Sequence, residues 1–505
     1  MHASERETVP QRLRPFCELL LLLLVLAGTV RSLQHAAALL PQPFSLNFEE
    51  GNQLDAALAV ARGRPLYPPV GNPPYIVHPY GPVFYLVHGL AVRLSGPSFV
   101  PGRVLVLGAG LAVALLLIAW LRRATASWSI ALGFGLTFLS VSLVRTWLPL
   151  LRVDLPGLLL ALVGLYLVAT CRRPVLAALC FLAALFTKPT FVAAPLASLF
   201  YLALARRWAM ARRLAATLVL GGLSGLALLA ALTRGWALFH MFLAFPDPYS
   251  LHLYATRIAP FFVRNLPLVA GTVLLAVTAF RRRHPSLPLL YAALATVMTL
   301  TAGKWGSDAN HFLEWQAALA LAAGIGYAEF CSHPGTESAV ALIPLTMAII
   351  IGFGLSNPAG LSPLLRDCRE AYRLAQQTPG EVLSENPGAA VLSGKTVWLS
   401  NAFEFRSLSA AGRLNPQPLI GMVEGRFFSL ILLQEDLPTL AQQVSQPPTE
   451  NTIWSREFVQ ALGQNYRQVR TFSCAGANDA FVPLASAANN RTTSLGVDDG
   501  ATAHR

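Results

Sequence analysis

Apolar runs of roughly 15 to 20 residues recur from Phe16 to Leu355, and no other feature limits the possible folds so strongly. The runs are Phe16–Val30 and residues 103–121, 127–145, 155–171, 175–187, 190–205, 213–233, 265–280, 286–302, 312–328 and 338–355. Each is a candidate membrane span, so the expected fold is a polytopic α-helical membrane protein of about eleven spans. Charged residues make up 12% of the chain, against about 25% in an ordinary soluble domain, which excludes both a soluble enzyme and a disordered chain. The net charge of +13 does not point to nucleic acid. The arginines sit in short clusters between apolar runs and form no single basic face.

Those clusters orient the chain. With a cytoplasmic N-terminus, alternate turns are cytoplasmic and carry Arg122-Arg123, Arg172-Arg173, Arg206-Arg207 with Arg212-Arg213, and Arg281-Arg282-Arg283. The fifth such turn, around Cys331–Ser338, carries none. Arg6, Arg12 and Arg14 precede the first run, no small-x-small cleavage site follows it, and it is expected to stay as an uncleaved span.

Two segments depart from the membrane pattern. Residues 34–100 form a long outer loop rich in prolines and aromatics, and with the spans they make a membrane domain over 1–355. Residues 356–485 are expected to form a small extracytoplasmic α/β domain, with a helix over Arg366–Gln377 and strands over Thr396–Leu399 and Phe427–Leu433. Residues 486–505 are polar and expected to be disordered. None of the six cysteines has metal-ligand spacing. Only Cys368 and Cys474 lie beyond the membrane region, where an oxidising compartment would let them pair.

Unusual polar residues gather on the expected outer side. The first loop opens with Asn47-Phe48-Glu49-Glu50-Gly51, two adjacent carboxylates in a charge-poor chain. Arg152 and Asp154 stand at the start of a span, where an acidic residue also suits the helix dipole. Ionisable groups at a membrane boundary are nevertheless functional candidates by default. Lys188, between two short apolar runs, either snorkels to the interface or contacts a lipid phosphate. Gly303–Glu314 is the densest polar cluster between spans, and there Lys304, Asn310 and His311 supply hydrogen-bond donors for a ligand. Asp308 and His311 alone are too few ligands to define a metal site. Tyr67, Tyr75, His78, Tyr80 and Tyr85 are either interfacial anchors or the walls of a sugar-binding groove. No phosphate-binding glycine loop, Ser-His-Asp set or HExxH is present.

The order of these motifs resembles the GT-C superfamily of membrane glycosyltransferases, in the branch related to protein O-mannosyltransferases and the lipid A aminoarabinose transferase. The resemblance lies in Asn47–Gly51, Gly63-Arg64-Pro65-Leu66-Tyr67-Pro68, Arg152-Val153-Asp154, Thr187-Lys188-Pro189 and Asn310–Glu314, and covers about residues 10–355. It implies inverting transfer of a sugar from a polyprenyl-phosphate donor to a lipid, glycan or protein acceptor on the outer face of the cell membrane. It assigns the base to a first-loop carboxylate, Glu50 or Glu49, with Glu50 preferred, and groups Asp154 with them. Lys188, Arg152, Tyr67, Lys304, Asn310 and His311 become substrate-binding candidates. The first loop has no Asp-x-Asp, so no metal or other cofactor is expected. A transporter or lipid flippase is the competing reading, and a non-catalytic scaffold the third.

Overall fold

The computed structural model describes residues 9–332, 337–355, 362–474 and 477–484. The expected disordered tail, 486–505, lies outside the described residues, as does part of the Cys331–Ser338 turn.

The expected apolar runs are largely helical, with 127–145 divided between Trp128–Ser140 and Ser142–Trp147. Among the described residues, four helices are long and apolar enough to cross a membrane: Leu13–Leu39, Val100–Thr125, Asp154–Cys171 and Trp208–Thr233. A bent pair, Leu251–Arg264 with Leu266–Arg282, turns by 80° at its break. Several other apolar helices are shorter, among them Trp128–Ser140, Pro174–Leu185, Ala193–Leu204 and Leu287–Gly303. Pro174–Leu185 and Ala193–Leu204 have 12 residues each, hence a rise of about 18 Å, well short of a bilayer core of about 30 Å. Several helices fall outside the expected runs; among them, Pro82–Ser95 starts at Pro82 after the Gly81 cap, and Leu251–Arg264 is an amphipathic segment capped by Ser250.

The helices share a polarity that matters for the site. Arg122 and Arg123 close Val100–Thr125, Arg172 caps the end of the Asp154–Cys171 span, and Arg281 and Arg282 close Leu266–Arg282. Arg103 and Asp154 stand in the first turns of two of these helices, at the ends opposite their arginine clusters.

The C-terminal segment combines short helices with a four-stranded sheet. Its strands are β1 (Glu381–Ser384), β2 (Phe428–Leu433), β3 (Tyr466–Thr471) and β4 (Asp479–Pro483), in the order β1-β2-β4-β3. β1 and β2 are parallel, and the other two pairings are antiparallel. Alternation along the strands sends side chains to opposite faces. Leu383, Ile431, Leu433 and Phe481 join a core with Phe405, Leu419, Trp454 and Phe458, whereas Val382, Leu430, Leu432 and Ala480 face the core that continues into the membrane domain. Val70, Tyr75 and Val77 of the first loop belong to the former core, so loop and domain fold as one body. Thr396–Leu399 is not a strand; Leu399 makes a single bridge to Tyr75. The expected helix forms over Ser362–Gln377. Cys368 in that helix is bonded to Cys474, which follows β3.

Close approach of backbones explains two glycines. A Cβ on Gly51 would lie 2.1 Å from the backbone nitrogen of Gly388, so the first-loop helix and the C-terminal domain meet through bare backbone. A Cβ on Gly81 would lie 2.0 Å from the carbonyl oxygen of Phe186. That contact, with the Gly81 N–H donating to Thr187 O at 3.2 Å, seats the turn before Lys188 against the first loop.

Candidate active site

The two adjacent glutamates face different surroundings. Asn47 caps the Phe48–Ala61 helix by accepting from the Glu49 N–H, and both glutamates occupy its first turn. Successive residues on a helix point about 100° apart. Glu50 turns into the membrane domain and meets Arg103: Nε donates to Oε1 at 2.9 Å and a terminal nitrogen to Oε2 at 2.7 Å. The backbone N–H groups of Leu46 and Leu151 complete the set, each at 2.6 Å. Arg103 also donates to the carbonyls of Gln42 and Phe44, both at 2.7 Å. Both side chains of this ion pair are 0% exposed. Glu50 therefore ties the loop entry to the Leu151-Arg152 turn.

Glu49 turns the other way and has no ion pair among the described residues. Its Oε1 accepts from Gln53 at 3.0 Å and Asn52 at 3.4 Å, and its Oε2 from Asn401 of the C-terminal domain at 3.2 Å. Burial pushes its carboxyl above the ordinary range, against the opposing pull of Arg152 and the three amides.

Arg152, which acts on Glu49 electrostatically, belongs to a second polar cluster. Lys188 Nζ donates to Asp154 Oδ1 at 2.7 Å, and Arg152 Nε lies 3.5 Å from Asp154 Oδ2. Asn310 Nδ2 donates to the same Oδ1 at 2.9 Å. Arg152 donates to the Tyr80 hydroxyl at 3.2 Å, and Lys188 Nζ lies 5.9 Å from the centre of the Tyr80 ring. The structure thus gathers Glu49, Arg152, Asp154, Lys188 and Asn310, which are widely separated in sequence.

His311 borders the cluster, with Nδ1 paired to the Thr301 hydroxyl at 2.6 Å. Tyr67 acts at one remove, donating to the Tyr80 carbonyl at 2.8 Å. Lys304 is engaged elsewhere, donating to the Phe245 carbonyl at 2.5 Å. Asp308 accepts from the Ala309 N–H at 2.6 Å and is exposed. No group of three metal-ligating side chains occurs among the described residues.

Four participants carried no functional signal in the sequence. Asn52 and Gln53 are ordinary helix residues, three and four positions after Glu49 and hence one turn along the same face. Asn401 and Glu404 begin the Ala402–Ala410 helix in a common capping pattern, which predicts a helix start and nothing more. Arg103 did carry one, as an ionisable residue in the first turn of an apolar helix.

Buried polar atoms without a hydrogen bond are concentrated here. They include Asn52 Oδ1, Gln53 Oε1, Tyr85 Oη, Arg152 Nε, Asp154 Oδ2, Asn310 Oδ1 and Glu404 Oε2. Such atoms are costly unless a ligand or water completes them.

No family model matches the sequence, and no curated protein matches it. Solved structures do resemble it. ArnT from Cupriavidus metallidurans in the apo state matches with a TM-score of 0.52 at 12% identity, over 90% of this chain and 97% of that one. The Archaeoglobus fulgidus oligosaccharyltransferase in complex with Zn and sulfate matches with a TM-score of 0.51 at 11% identity, over 91% and 73%. The same archaeal enzyme, AglB, with an inhibitory peptide and a dolichol-phosphate, gives 0.51 at 12%, over 88% and 72%. This chain shares the fold of these structures.

Proposed function

We propose that the protein transfers a sugar from a polyprenyl-phosphate donor to a hydroxyl acceptor, with Glu49 as the base. The observation that carries this reading is the opposition, in one buried cluster, of an unpaired carboxylate and two cations. A general base must be near the proton it takes and must not be neutralised by a fixed partner. Glu49 meets that requirement, whereas all of Glu50's acceptor capacity is engaged by Arg103 and two backbone N–H groups. The preference for Glu50 is therefore replaced: Glu50 positions the Leu151-Arg152 turn, and Glu49 does the chemistry.

In the reaction, the acceptor O–H proton passes to the Glu49 carboxylate as the acceptor oxygen attacks the anomeric carbon. The bond from that carbon to the phosphate oxygen breaks, and polyprenyl phosphate leaves with the electron pair. Lys188 and Arg152 offset the charge gathering on the phosphate. Asp154, with Asn310, holds Lys188 and Arg152 in place, a positioning role. Tyr80 bridges the two halves of the site. The dolichol-phosphate held by the archaeal neighbour supports a lipid-phosphate donor. Attack and departure on opposite sides give inversion. The arginine pattern supports a site on the extracytoplasmic face of the membrane, with the C-terminal domain on the same side.

The test is transfer from undecaprenyl-phosphate sugars by the full-length protein in nanodiscs. Glu49→Gln is expected to abolish transfer while binding of undecaprenyl phosphate persists. Vectorial transport of the lipid, with no sugar transferred, would instead favour the flippase reading.

A further inference from the structure

Glu404 belongs to the C-terminal domain yet stands at the site. It is 3% exposed, and no hydrogen bond reaches its Oε2. Asn401 links it to Glu49: Nδ2 donates to Glu49 Oε2, while Oδ1 accepts from the Phe403 N–H at 2.9 Å and the Glu404 N–H at 3.3 Å. One side-chain amide thus joins the Glu49 carboxylate to the helix turn that carries Glu404, and the two carboxyls act on each other electrostatically.

The electrostatic surroundings of Glu404 are Glu49, Asp247 and Arg152. Asp247 Oδ1 accepts from Arg406 at 3.2 Å and from the Ser407 hydroxyl, while its Oδ2 has no hydrogen bond. Arg152 is shared with Asp154 and Tyr80. Arg152 acts on both Glu49 and Glu404 but is shared with Asp154, so the wall made by the two glutamates keeps an excess of acidic groups. An anionic acceptor fits this acidic wall badly. A neutral molecule offering two hydrogen-bond donors fits it well, because Glu49 requires one hydroxyl and Glu404 Oε2 lacks a partner. Burial and the charge of Glu49 also favour the protonated form of Glu404, which can still exchange hydrogen bonds with a hydroxyl.

We propose that Glu404 and Glu49 together form the acceptor subsite, and that the acceptor presents two neighbouring hydroxyls, as a sugar ring does. Glu49 takes the proton of the attacking hydroxyl. Glu404 hydrogen-bonds the adjacent one, in the ground state and the transition state alike. The C-terminal domain thereby sets acceptor choice. This rests on the glycosyl-transfer reading.

The experiment uses the full-length protein in nanodiscs with undecaprenyl-phosphate hexoses and pentoses as donors. The acceptors are methyl hexosides, their monodeoxy analogues and a serine-containing peptide. Transfer to a methyl hexoside is expected, and Glu404→Leu, which removes both donor and acceptor, is expected to raise its KM by about tenfold or more with kcat kept within about threefold. The deoxy analogue lacking the neighbouring hydroxyl should show the same KM penalty with the unmodified protein and no further penalty with Glu404→Leu. Glu404→Gln, which keeps an acceptor and a donor at that place, serves if the leucine variant is poorly folded in thermal unfolding; it should retain the preference for the diol. Transfer confined to the peptide, or to water, overturns the subsite and leaves glycosyl transfer standing, as do additive penalties. Absence of all transfer, with undecaprenyl-phosphate binding indifferent to Lys188→Ala, overturns both.

Discussion

The division of labour between the adjacent glutamates makes a sharp prediction for Glu50→Gln. The Glu50 oxygens accept four hydrogen bonds, two from Arg103 and one each from the N–H groups of Leu46 and Leu151. An amide retains one oxygen, so whichever way it is turned, two of those donors face an NH2 group. The change also leaves the Arg103 guanidinium, 0% exposed, without a counter-charge. Removing one partner of a buried ion pair costs about 3–5 kcal/mol. Glu49→Gln is different, because the three donors around Glu49 are side-chain amides that can turn to suit a new amide. Thermal unfolding in detergent, followed by tryptophan fluorescence, separates the cases. Glu50→Gln is expected to lower the midpoint by more than about 5 °C, and Glu49→Gln to leave it within about 2 °C. Adding Arg103→Met to Glu50→Gln should recover part of the loss, since the double variant buries no lone charge. An unchanged midpoint in Glu50→Gln, with transfer lost, would refute the reasoning and return the base to Glu50.

Three further outcomes follow from the same geometry. Lys188→Ala should weaken undecaprenyl-phosphate binding about tenfold or more by native mass spectrometry, with Lys188→Arg intermediate. The base acts as a carboxylate and burial raises its proton affinity, so kcat/KM should fall as pH falls through a value above the ordinary carboxylate range; an acid limb at or below pH ~4 would argue against Glu49 in this setting. Gly51→Ala would drive a methyl group into the Gly388 backbone, and hydrogen exchange should show Pro387–Leu392 opening together with a loss of transfer.

The helical frame was legible because lipid leaves a backbone few options, and apolar runs broken by arginine clusters record that constraint along the chain. The cationic half of the site was legible for a related reason. Arg152, Asp154 and Lys188 are expensive at a membrane boundary, so their presence signals a use. The choice between Glu49 and Glu50 was not legible. Neighbours on one helix turn have similar local sequence, and their fates differ only through Arg103 and Asn401, which lie 53 and 352 residues away. Asn401 and Glu404 were hidden behind an ordinary helix start. Thr396–Leu399 looked like a strand because its residues alternate, but its only bridge runs to Tyr75 of the first loop rather than to the sheet.

The central claim is that Glu49 is the base opposite the Lys188–Arg152 pair. Its most direct test is the rate of transfer from an undecaprenyl-phosphate sugar by folded Glu49→Gln protein that still binds undecaprenyl phosphate. The account predicts a fall of about a hundredfold to ten-thousandfold, as expected for removal of a general base. Transfer at the rate of the unmodified protein would contradict it.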